Sequence, residues 1–274
     1  MKDQFIIAYI TDLDNANTVC AYTSYLSQML RKGLILLYIT DPRYKCLDND
    51  SATQKLQLLT KTVHNSTYCA IKGKTAEIIE KLPTALNAVA VVAQVDSNAA
   101  RHTPSHYKEL LHNFANCKIA YLTIQNDSPR TIAFSNVVMT VDYHKESKEK
   151  LIWTSYFARF NRSQIHILSQ HYKDSGLFAL WRNNMNYLQK FFDNLSISFQ
   201  KTTIPEDSAY PDIDALRIMN DNHYDLMVCT TTPPREKDVL EWFTGTQEER
   251  TIRNSYHIPI LFINPRSDLY VLCD

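Results

Sequence analysis

Glycine is nearly missing, with four in 274 residues, at positions 33, 73, 176 and 245. The scarcity bears on function, because a loop that wraps phosphates in backbone N–H groups generally needs several glycines close together for close approach and positive φ. Cysteine occurs six times, at 20, 46, 69, 117, 229 and 273, but never as C-x-x-C, so neither a zinc knuckle nor a disulfide framework is indicated. No apolar run approaches the roughly 18 residues that a membrane span requires. The opening MKDQFIIAYITDLD also lacks the charged, apolar and small-residue succession of a secretion signal. Neither sign of charge is in excess, with 29 basic against 29 acidic side chains. No field is left to draw nucleic acid or an anionic membrane surface. The expectation is a cytoplasmic protein with neither nucleic acid nor membrane as partner.

What is present is a globular composition, 45% hydrophobic and 21% charged, on a chain long enough for two domains of about 100 to 150 residues. An internal repeat supports the division. The β-like run Ile6 to Thr11 ends at Asp12, and Val137 to Val141 ends at Asp142, an offset of 130 (142 − 12). The same slide carries LILLYI (34 to 39) onto QIHILS (164 to 169). Between the strands of the first copy, Val19, Tyr22, Leu26, Met29 and Leu30 recur at helical spacing; the second copy has Leu151, Ile152, Tyr156 and Phe160. Further on, residues 75 to 92 match 212 to 229 (offset 137), and NCKIAYLTI (116 to 124) matches HIPILFI (257 to 263, offset 141). Strands alternating with helices predict parallel sheets covered on both faces. The break falls near Asn126 to Pro129, giving expected domains 1–127 and 130–274.

The strand ending in Asp, the amphipathic helix, D-L-M-V, a loop with G-T, a helix E-R-T-I-R-N and the terminal H-I-P-I-L-F-I together resemble the universal stress proteins. The resemblance implies two Rossmann-like, adenine nucleotide alpha hydrolase-like, doubly wound five-stranded parallel-sheet domains in tandem. In nucleotide-binding relatives the motif G-x2-G-x9-G-[ST] holds ATP. Here Gly245-Thr246 matches its last pair, while Thr230-Thr231-Thr232-Pro233-Pro234 stands where the first glycines belong. The prolines also remove donors and fix φ. If two charge-assisted hydrogen bonds are lost at about 1.5 to 3 kcal/mol each, affinity falls by about two to four powers of ten. The first half has no glycine between 73 and 176.

Asp12 and Asp142 fall where relatives place an acid near adenine, at the carboxyl edge of the sheet, although an Asp there also serves simply as a cap or turn former. Candidate nucleotide contacts are therefore Asp142, Thr230, Thr231, Thr232, Gly245 and Thr246, with Asp12 vestigial. Gly245-Thr246 also reads as a plain turn and N-cap before a helix from Gln247 to Asn254. His102 and His106 have metal-like spacing, but Pro104 between them and the lack of a carboxylate motif favour a solvated loop. Cys229 reads as a small buried residue rather than a nucleophile. In the stretch 177 to 192, Leu177, Leu180, Trp181, Met185, Leu188 and Phe192 share one helix side, read as core or interface. No catalytic or metal-binding residue is indicated.

The family's subunits pair through the last strand, so KIAYLTI and IPILFIN would make the chain its own pseudo-dimer, with a homodimer of tandem chains as a further step. The leading expectation is a non-enzymatic stress-response or regulatory protein acting through protein contacts, with a degenerate nucleotide site and no cofactor. The alternative is a sensor of ATP or AMP using the C-terminal domain alone. Catalysis by adenylyl transfer or hydrolysis would rest on fold analogy only.

Overall fold

The structure, a computed structural model, describes residues 3–44, 46–95, 105–125, 132–144, 148–170, 172–204, 211–231 and 246–265, without the side chains of 105 and 106. The chain clusters into two compact units, Met1–Ile132 and Ala133–Asp274. Unit 1 runs β1 (Phe5–Ile10), α1 (Asn17–Leu30), β2 (Gly33–Thr40), α2 (Asn49–Thr62), β3 (Ser66–Lys72), α3 (Thr75–Ala85), β4 (Ala88–Val95), α4 (Ser105–Phe114) and β5 (Ala120–Gln125). Unit 2 repeats the succession as β6 (Asn136–Val141), α5 (Lys150–Tyr156), β7 (Gln164–Gln170), α6 (Ser175–Asn194), β8 (Phe199–Ile204), α7 (Pro211–Asp221), β9 (Leu226–Thr230), α8 (Gln247–Arg253) and β10 (Ile260–Ile263). A π-helical turn, Phe157–Asn161, continues α5.

Strand order is β3-β2-β1-β4-β5 in unit 1 and β8-β7-β6-β9-β10 in unit 2. Within each unit, neighbouring strands pair in parallel. Each unit is thus a five-stranded, doubly wound α/β sheet. The sequence specifies this because β1, β2, β4, β6 and β9 are almost continuously apolar and buried, as strands covered on both faces must be. The outermost strands β3 and β8 are half polar and largely exposed, with Lys72 and Lys201 on them, which discourages pairing with another chain.

Helix ends follow local chemistry. Asp48 caps α2 by accepting from the N–H groups of Asp50 and Ser51, and Asp174 caps α6 through Leu177 N–H. Gly33 stands opposite Phe5 in the β1–β2 register, and a Cβ there would lie 2.6 Å from the Phe5 ring. Close approach of an aromatic ring explains one of the four glycines.

The internal symmetry differs from the sequence alignment by one residue. Left-handed backbone recurs at Arg31 and Arg162 and at Asn65 and Ser196, and β1 and β2 start 131 residues before β6 and β7. Further on, Asn87 and His223 are the matching left-handed pair, 136 apart. The offsets are therefore 131 and 136, not 130 and 137. Hydrophobicity could not fix them, because a strand buried on both faces reads alike after a one-residue slip. The true register aligns Asp142 with Thr11 and Asp12 with Tyr143, so the two acids are not equivalent.

Two apolar stripes also need correction. In unit 2 the buried residues of α5 are Lys150, Leu151, Thr154 and Ser155, whereas Ile152 and Phe160 are exposed. In α6 Trp181, Leu188 and Phe192 are buried, but Asn184 joins them and Leu180 faces solvent. In both cases a polar residue takes a buried helix position because it has a bonding task. The expected break at 126–129 lies outside the described residues.

Candidate functional site

In a doubly wound sheet the crevice for ligands opens at the carboxyl ends of strands where the chain reverses direction across the sheet. In unit 1 that is the gap between β1 and β4. Gln94, on β4, fills it. Its side chain is wholly buried. Its Oε1 accepts from the N–H groups of Thr11 (3.1 Å) and Asp12 (3.2 Å), and its Nε2 donates to the Asn15 carbonyl at 2.8 Å. The carboxamide thus ties down the loop from β1 to α1, using backbone donors that face the crevice. Asp12 itself accepts from Asp14 N–H at 2.9 Å and from Asn15 Nδ2 at 2.7 Å. Its carboxylate shapes a turn.

Unit 2 reaches a similar end by other residues. Gln94 corresponds to Thr230 (94 + 136), whose side chain is too short to span the gap. Asn184 of α6, buried, donates from Nδ2 to the carbonyls of Asp142 (2.9 Å) and His144 (2.8 Å). Asp142 accepts from His144 N–H at 2.9 Å, again a turn, and its carboxylate lies 3.4 Å from the His144 ring nitrogen Nδ1. Thr231 donates its hydroxyl to Asn264 Oδ1 at 2.7 Å and its N–H to the Ile263 carbonyl at 3.0 Å. Thr246 is the N-cap of α8, its hydroxyl accepting from Glu249 N–H at 3.3 Å. Thr232 and Gly245 lie outside the described residues, as do Pro233, Pro234 and His102, and the side chain of His106.

Beneath these loops sits Lys150, the first residue of α5. It is 1% exposed and its Nζ is 3.5 Å from Thr140 Oγ1. Burial raises the Asp212 carboxyl above its ordinary range; the hydrogen bond from Gln247 Nε2 (2.5 Å) and the Lys150 charge oppose it, while Asp142 and Glu248 add to it. Cys229, also buried, has its thiol pushed up by desolvation and by Asp212 and Glu248, against the opposing Lys150 charge, the reverse of what a nucleophile requires. The end of unit 2's sheet is therefore a buried patch of mixed charge. Gln94, Asn184 and Lys150 were not singled out from the sequence. The signals available were the one polar residue in the run AVAVVAQV and a polar residue at a buried helix spacing.

Unit 1 also holds a cleft of about 240 Å³ on the β1–β2 side, between those strands, the segment after β2 and α4. Asp41, just past β2, is almost fully buried. Its two oxygens accept from Arg43 Nε (2.9 Å) and Nη2 (2.6 Å), and from the N–H groups of Arg43 (3.1 Å) and Thr75 (2.7 Å). The Arg43 guanidinium, outweighing the cost of burial, holds this carboxyl well below the usual range. Burial pushes the Tyr9 phenol up. A hydrogen bond with Glu109, then burial, does the same for Tyr44. Among the described residues there is no group of three or more His, Cys, Asp or Glu side chains that could hold a metal ion.

No family model matches the sequence, and no curated protein does. The fold, by contrast, has close counterparts. A universal stress protein from Archaeoglobus fulgidus DSM 4304 aligns over 98% of both chains with a TM-score of 0.69 at 13% identity. A candidate universal stress protein from Pseudomonas aeruginosa UCBPP-PA14 aligns over 97% of this chain and 94% of that one (TM-score 0.64, 14% identity). The cytoplasmic domain of a prokaryotic cation chloride cotransporter aligns over 95% of each (TM-score 0.57, 9% identity). The chain therefore has a fold shared with universal stress proteins, a Rossmann-like α/β architecture carried through twice. Among the described residues no helix is long and apolar enough to cross a membrane.

Proposed function

We propose that this chain is a regulatory protein of the universal stress type that acts through protein contacts rather than by catalysis, and that its nucleotide crevices are closed by its own side chains. The observation that carries this reading is Gln94. Its carboxamide oxygen occupies two backbone donors at the β1–β4 gap, at 3.1 and 3.2 Å, and its Nε2 donates to the Asn15 carbonyl at 2.8 Å. A phosphate or adenine entering there must displace a fully satisfied buried amide, which costs free energy comparable to the bonds it would form. In unit 2 the turn bonds of Asp142 and the Thr231 hydroxyl bond to Asn264 occupy groups that a nucleotide would need. Titration of magnesium ATP or AMP into the whole protein by calorimetry should give no binding below the millimolar range. A sub-millimolar constant would overturn the reading.

One observation favours the alternative, a nucleotide sensor confined to the C-terminal domain: Lys150, buried with Thr140 as its bonded neighbour at 3.5 Å, is a cation that an anionic ligand would match. On that reading Asp142→Ala and Lys150→Met each abolish ATP binding while Asp12→Ala leaves it intact. Binding that survives both unit 2 substitutions counts against it. The expected domains 1–127 and 130–274, a homodimer of tandem chains and a cytoplasmic location complete the proposal.

A further inference from the structure

Four of the eight large apolar side chains that lie exposed among the described residues belong to two successive helices of unit 2: Ile152 on α5, Phe160 on the π-helical turn that continues it, and Leu180 and Tyr187 on α6. Right-handed crossovers from β6 to β7 and on to β8 place both helices on one face of the sheet. Ile152, Tyr156 and Phe160 form one row, with the Tyr156 and Phe160 rings 5.8 Å apart, and Leu180 and Tyr187 form another. Lys148, just before α5, joins the rows, its Nζ 5.1 Å from the centre of the Tyr187 ring. The fold itself does not require these side chains. At the offset of 131 the counterparts of Ile152 and Phe160 in unit 1 are Ala21 and Met29, the first small and the second half-buried, and Gln28 stands for Arg159.

The charge around the rows is of one sign. Arg159 lies over the Phe160 ring at 5.5 Å and Arg182 over the Phe178 ring at 6.0 Å. Neither they nor Lys148 has an ion pair among the described residues. α5 and its π-helical turn carry no acid, and α6 carries only Asp193, which accepts from Gln189 Nε2 at 2.8 Å. On a chain whose charges balance, this is an apolar surface edged by unpaired cations, and aromatic rings with arginine are the usual centre of a protein interface.

A second copy is a poor match, because a symmetric pair brings like charges face to face. Anionic lipid is held by clusters of about four to eight basic residues, more than stand here, and Ile152 and Leu180 give a nucleic-acid base no ring to stack on. An amphipathic helix with carboxylates beside its apolar stripe meets the apolar rows and the cations together. We infer that the α5–α6 surface of unit 2 docks an acidic amphipathic helix of another protein, whose carboxylates pair with Lys148, Arg159 and Arg182. The surface gives a place and a chemistry to the protein contacts of the proposed regulatory reading, on which it rests.

The probe is a display library of helical peptides about five turns long, with leucine or phenylalanine fixed along one stripe and the other positions random, selected on the full chain. Enriched peptides are expected to be net negative, with carboxylates flanking the stripe. Phe160→Ser and Arg159→Glu should each weaken a synthesised binder by about tenfold or more, and exchanging the facing acid of the binder for lysine should restore its affinity for Arg159→Glu. Because both side chains are exposed, the free variants should melt as the unaltered chain does. If Phe160→Ser does not fold, Ile152→Ser replaces it. No enrichment, enriched peptides without an excess of acid, affinity untouched by either substitution, dimerisation that Phe160→Ser abolishes, or binding of phosphatidylserine vesicles or RNA that Arg159→Glu abolishes would each overturn the inference. Sub-millimolar ATP binding would instead reopen the crevices and leave this surface standing.

Discussion

At the scale of single residues, the most telling side chains are those whose polar atoms have been moved out of water. His166 is buried on β7, with Nε2 3.1 Å from Asn136 Oδ1, its ring stacked on Tyr224 at 4.1 Å, and Nδ1 without a partner. Burial lowers its pKa from the ordinary 6.5, because protonation would place an unbonded N–H⁺ in an apolar setting. The unfolded chain then binds more protons than the native one between the lowered value and 6.5, so stability rises with pH across that window. Melting temperature should fall as pH drops from neutral toward the lowered pKa, and His166→Gln should flatten that slope; an unchanged slope would remove His166 from the account. Asp41 acts at lower pH. Its depressed pKa contributes stability that is present above the unfolded value and lost as pH falls through the folded one. Asp41→Asn removes the charge of a buried carboxylate that accepts from the exposed Arg43 and from two backbone N–H groups, and should cost about 1 to 3 kcal/mol in denaturant titration.

At the scale of elements, the loops after the first strand of each unit are held by carboxamides from different places, Gln94 on β4 and Asn184 on α6. Gln94→Ala removes three hydrogen bonds and leaves two backbone N–H groups to find water; a loss of about 2 to 4 kcal/mol is expected. Hydrogen exchange of Thr11 and Asp12 amides should quicken at the same time, and unchanged exchange would show that Gln94 does not hold the loop. The elements themselves were readable from the chain. The run Val19, Tyr22, Leu26 did mark the buried face of α1, and Thr246 before Gln247 did mark the start of α8. The stripe on α5 misled, since Lys150 and Thr154 are buried where Ile152 and Phe160 are not. Apolar spacing reports what could be covered, whereas a charged residue is buried only when a specific partner such as Thr140 lies across from it.

At the scale of the whole molecule, each unit has its own buried sheet, with Ile6, Ile7, Leu36 and Val92 at the centre of one and Val137, Met139, Leu168 and Val228 at the centre of the other. A fragment of residues 1–132 should therefore melt cooperatively by far-ultraviolet circular dichroism. A broad, non-cooperative trace would show that its core is insufficient alone.

The amino-acid order by itself determined that there are two copies of an alternating strand and helix pattern, because hydrophobic period and strand length are local properties written in every ten-residue window. It also determined that no glycine-rich phosphate loop follows β4, since glycine's absence needs no coordinates. Only the tertiary structure decided the register between the copies, which moved Asp142 onto Thr11 and separated it from Asp12. It alone decided what fills the crevice, because Gln94 reaches residues 79 to 83 positions away in sequence. A hydrogen bond across that distance depends on which strands lie side by side.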